Sequence, residues 1–65
     1  MRMNYRMRIE HWRGNELLAS KKYLCTSQWS GPTGTHVFAI LPYELIDGDR
    51  VMVFQNDVEV DGLTA

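Results

Sequence analysis

"RVMVFQNDVEV", residues 50–60, decides the fold. Two valine-rich runs flank Asn56-Asp57, a residue pair that tolerates the positive φ angles of a tight hairpin. A two-residue loop there sets Gln55 opposite Val58 and Val53 opposite Val60. Val51, Val53, Val58 and Val60 then share one face, and Met52, Phe54, Glu59 and Asp61 share the other. This segregation is what a hairpin with one buried face requires.

The same period of two runs through the N-terminal segment. Met1, Met3, Tyr5, Met7, Ile9 and His11 alternate with Arg2, Asn4, Arg6, Arg8, Glu10 and Trp12. That pattern reads as a half-buried strand with a basic outer face. Gly14-Asn15 follows as a second hairpin signal. "LLASKKYLCT", from Leu17, is compatible with a helix capped by Asn15 or with a strand carrying an irregularity near Ser20-Lys21. The turn before it and "YLCT" within it favour the strand. "SQWSGPTGT" is a loop, "HVFAIL" (36–41) a buried strand, and Pro42 ends that strand. At most one helical turn fits near 42–47, before the Gly48-Asp49 turn.

The expected fold is therefore mostly β: a small antiparallel sheet or barrel of about five short strands. Residues 1–62 make one domain and 63–65 a frayed tail. A chain of 65 residues buries only about 60% of the surface its unfolded form exposes. The single cysteine, Cys25, rules out an intrachain disulfide, so a strand-paired or intertwined homodimer is the expected supplement to a thin core.

Composition limits function. The hydrophobic fraction of 45% is too high for a disordered chain. The longest uncharged apolar run, Val37 to Leu41, is too short to cross a bilayer, and no apolar leader opens the chain. No membrane association is expected, and the cytoplasm is the default location. Cys25, His11 and His36 lack the paired spacing of a zinc site, and nothing in the sequence joins Cys25 to a histidine as a nucleophile pair. The acidic residues lack the spacing of a calcium loop. "SGPTG" precedes a strand, whereas phosphate-cradling loops precede a helix. Neither an enzyme activity nor a cofactor is expected.

Charge is unevenly spread. Residues 1–34 carry six basic and two acidic groups; residues 35–65 carry one basic and six acidic groups. Arg6, Arg8, Arg13, Lys21 and Lys22 are the candidate nucleic-acid-binding residues, because guanidinium and ammonium groups suit phosphate. Trp12 lies among them as a stacking group. The competing readings are a solvated, aggregation-resistant strand and two halves that neutralise each other.

"GPTGTHVFAILPYELIDGDRVMVF" (31–54) resembles the core of AbrB/MazE-type swapped-hairpin domains, in particular their short transposon-associated relatives. Gly34, His36, Val37, Leu41, Pro42, Leu45, Ile46, Gly48, Val51 and Val53 carry the resemblance. It implies an intertwined homodimer that binds duplex DNA as a regulator and has no catalytic role. The alternatives are a viral or mobile-element module that docks on a host protein, and a structural subunit of an assembly.

Overall fold

The computed structural model describes residues 4–33, 41 and 44–65. The protein is mostly β. Four strands form one antiparallel sheet: β1 (Tyr5–Arg13), β2 (Glu16–Cys25), β3 (Arg50–Gln55) and β4 (Val58–Thr64). Their order across the sheet is β2-β1-β3-β4. The expected strand over 36–41 falls on residues outside the described set, apart from Leu41. Glu44 to Ile46 have no regular structure, and Asp47-Gly48 form a turn.

Each connection has a local cause. Asn56 and Asp57 have φ of 51° and 67°, the two positive angles of a type I′ turn. Gly14, with φ 59°, turns β1 into β2. The Asp49 amide donates to the Ile46 carbonyl at 3.1 Å, and Gly48 sits third in that turn with φ 89°. A type II turn needs this angle at that position, and glycine adopts it without strain. The segment at 16–25 is strand throughout, as its flanking turn suggests.

Cross-strand partners share a face, so the pairings assign both faces. Met7, Ile9 and His11 of β1 pair with Gln55, Val53 and Val51 of β3. These residues face Trp29, Leu41 and Leu45 of the connection between β2 and β3. Met7, Ile9, Leu41, Val51 and Val53 are the buried core, with Trp29, Leu45 and Leu63 packed against it. Arg8, Glu10 and Trp12 pair with Phe54, Met52 and Arg50 on the opposite, outer face.

Two departures from the sequence reading come from bulges. Gln55 pairs with Val58 as expected, but Val53 pairs with Asp61 and not with Val60. Val60 is the extra residue of a bulge. Val60 is accordingly 45% exposed; Val58, on the edge strand beside the turn, is 63% exposed, while Val51 and Val53 are buried. Beyond the bulge the inner-face positions of β4 belong to Asp61 and Leu63. Asp61 accepts a hydrogen bond from Trp29 Nε1 at 2.7 Å, a partner that period two does not reveal. In β2 the irregularity falls at Leu18, opposite the step from His11 to Trp12, and not at Ser20-Lys21.

The C-terminus is not frayed. Leu63 pairs with Val51, the Ala65 amide donates to the Asp49 carbonyl at 2.8 Å, and the Ala65 carbonyl accepts from the Gly48 amide at 2.8 Å.

Candidate nucleic-acid interface

Alternation along β1 divides the five expected basic residues between the two faces. Arg6 pairs with Leu24 and Arg8 with Lys22, so Arg6, Arg8 and Lys22 project from the outer face. Lys21 pairs with Ile9 and takes inner-face parity. Arg13 shares the parity of His11 and reaches Asp49, with Nε to Oδ1 at 2.9 Å and a terminal nitrogen to Oδ2 at 3.0 Å.

The three outer residues converge. A trough of about 410 Å³ is lined by Arg6 and Arg8 of β1, by Lys22 and Leu24 of β2, and by Asp57 of the β3–β4 turn. Asp57 bridges both arginines, at 3.2 Å to Arg6 and 3.2 Å to Arg8. The Arg8 guanidinium also lies 4.2 Å from the centroid of the Phe54 ring, a cation–π stack that fixes its plane. Glu10 pairs with Arg8 Nε at 3.1 Å and accepts from Trp12 Nε1 at 3.0 Å. The turn itself is pinned, because Arg6 and Asn56 exchange two hydrogen bonds: Asn56 N to Arg6 O at 2.8 Å and Arg6 N to Asn56 Oδ1 at 2.9 Å.

The trough thus presents three cations beside one carboxylate, Asp57, with Glu10, Phe54, Trp12 and Met52 on the same face of the sheet. The Arg6–Asp57 pair is more than half exposed on both sides. An ion pair of that kind contributes about 1 kcal/mol at most and is screened by salt. The Asp57 carboxylate, itself well exposed, is therefore weakly held on its Arg6 side. The sequence reading missed Asp57 and Phe54, since nothing in the linear pattern brings residue 57 next to residues 6 and 8.

A second polar cluster lies inside. His11 and Asp49 are both fully buried, with His11 Nε2 donating to Asp49 Oδ2 at 2.7 Å. The Ile46 amide adds a third kind of donor at 3.1 Å. The Arg13 guanidinium, with His11 and the Ile46 amide, holds the Asp49 carboxyl well below the usual carboxylate range, and burial opposes the shift. This network locks the 46–49 turn onto the end of β1, and its imidazole meets no solvent. Cys25 lies opposite Tyr5 and Ala19 opposite His11, six residues apart along β1 and thus about 20 Å. Those two residues do not form a nucleophile pair. His36 is outside the described residues.

Among the described residues, no three His, Cys, Asp or Glu side chains converge as metal ligands, and no helix is long and apolar enough to cross a membrane. No family model, curated protein or solved structure matches the chain.

Proposed function

We propose that the chain is a non-catalytic binding module whose outer sheet face holds the phosphates of duplex DNA. Its narrower form is a homodimeric regulator of the kind that the 31–54 resemblance implies. The observation that carries this reading is the trough, which gathers Arg6, Arg8 and Lys22 from two strands around one displaceable carboxylate. Phosphate contacts position a duplex without reading its sequence. Base identity then depends on other groups.

Titration of labelled duplex at several salt concentrations tests the reading. Three phosphate contacts per chain give a slope of log K against log salt of roughly −2 to −3, and a pair of chains roughly twice that. Arg8→Ala flattens the slope by about one unit and weakens all sequences alike. Arg13→Ala leaves the slope unchanged, because Arg13 serves Asp49. Absence of binding at low salt discards the DNA reading.

A second reading is a module that docks on a host protein. Leu17, Leu18 and Leu24 of β2 are 44%, 37% and 67% exposed, and exposed apolar side chains at both ends of an edge strand favour a protein partner.

A further inference from the structure

We propose that the two edges of the sheet recognise each other between copies, β4 of one chain pairing antiparallel with β2 of the next, with Lys22 opposite Glu59 and Tyr23 opposite Val58. This inference does not rest on nucleic-acid binding, although Lys22 belongs to both surfaces.

Strand direction permits it. The order β2-β1-β3-β4 is antiparallel at every step. A β2 placed beyond β4 in the same orientation therefore continues the alternation, with inner and outer faces in line over the stretch between the Asn56-Asp57 turn and the Val60 bulge. Face parity then selects the register. Lys22 pairs with Arg8 and Glu59 with Phe54, so both lie on the outer face. Tyr23 pairs with Met7 and Val58 with Gln55, so both lie on the inner face. One register satisfies both pairs. It couples opposite charges on one side and an aromatic with a β-branched residue on the other, two favourable kinds of cross-strand pair.

Exposure agrees. Tyr23 is 36% and Val58 63% exposed, and Lys22 and Glu59 are exposed as well. Among the described residues, β2 and β4 each have one neighbouring strand, which leaves a row of backbone donors and acceptors on their far sides. Pairing like with like is worse. β2 against itself gathers the Lys21-Lys22 pairs of two copies at the centre, and β4 against itself gathers Asp57 and Glu59. Like charges set opposite destabilise a sheet. The uneven charge of the chain, basic at the start and acidic at the end, thus becomes complementarity between edges. A contact of this heterologous type closes into a ring or continues as a filament.

Sedimentation across a concentration series tests the proposal. The wild-type chain is expected to form species larger than a monomer as concentration rises. Lys22→Glu and Glu59→Lys each weaken association by roughly tenfold. The double exchange restores it, which general loss of folding does not do. Cross-linking reads the register. β2 and β4 stand three strand spacings apart, about 14 Å, beyond the reach of a disulfide within one chain. In a Cys25→Ser background, Tyr23→Cys with Val58→Cys is expected to give covalent oligomers on oxidation, and Tyr23→Cys alone none. A chain that stays monomeric at high concentration, or a double exchange that fails to restore association, overturns the proposal. Glu59→Lys separates it from the DNA reading, since that variant loses assembly and retains the trough.

Discussion

At the residue scale, Val53 and Val58 show how place in the sheet, central strand or edge strand, changes the meaning of identical side chains. Both fall on the inner side of the β3–β4 hairpin, yet Val53 is fully buried and Val58 is 63% exposed. A charge at position 53 is buried without a partner, so Val53→Asp is expected to abolish cooperative folding. Val58→Asp should change stability by about 0.5 kcal/mol at most, as at other exposed positions. Met52→Asp, on the half-covered outer face, should fall between the two. Urea unfolding of the three variants checks the order, and a Val58→Asp chain as damaged as Val53→Asp would place Val58 in the core. Arg13 carries a similar lesson. Its odd position along β1 matches Met7, Ile9 and His11, so parity alone separates it from Arg6 and Arg8. Its partner Asp49 lies 36 positions away and cannot be read from parity.

At the scale of the element, the β3–β4 turn has two roles. It sets the hairpin through two positive φ angles, and it supplies the carboxylate between Arg6 and Arg8. Asn-Gly is the preferred pair for a type I′ turn. Asp57→Gly should therefore keep the hairpin and its stability while it removes the negative charge from the trough. Duplex affinity at low salt is expected to rise, because Arg6 and Arg8 no longer exchange one anion for another. Unchanged or lower affinity with an intact circular dichroism spectrum would show that phosphates do not enter this trough.

At the scale of the molecule, two carboxylates tie the layer over the sheet to its strands. Asp49 joins β1, the 46–49 turn and, through its backbone, the last residue of the chain. Asp61 joins β4 to Trp29. The hydrogen bond from the Trp29 indole, aided by the Gly62 amide, lowers the Asp61 carboxyl pKa, and Arg13 and His11 lower that of Asp49. Groups with depressed folded values contribute stability above their unfolded pKa, near 4, and lose it as pH falls toward the folded value. The urea midpoint is expected to hold through neutral pH and to drop below about pH 4. Asp49→Asn should lower the midpoint at pH 7 and make the acid limb shallower, so that the two chains converge at low pH. Parallel acid limbs would show that Asp49 is not the group whose protonation loosens the fold.

The sequence by itself determined the β class, three of the turns, the strand at 16–25 and the two faces of β1. These follow from local chemistry: alternation sorts side chains by face, and Gly14, Gly48 and Asn56-Asp57 supply backbone angles that other residues resist. Tertiary structure alone decided the order β2-β1-β3-β4, the bulges at Leu18 and Val60, the docking of the C-terminus and the partners of the basic residues. Each of these depends on partners far apart in the chain. Asp61 takes the place expected for Val60 and accepts from Trp29, Arg13 reaches Asp49, and Asp57 joins Arg6 and Arg8. A pattern of period two records which side a residue faces, whereas the identity of the group it meets there is set by the packing of the whole chain.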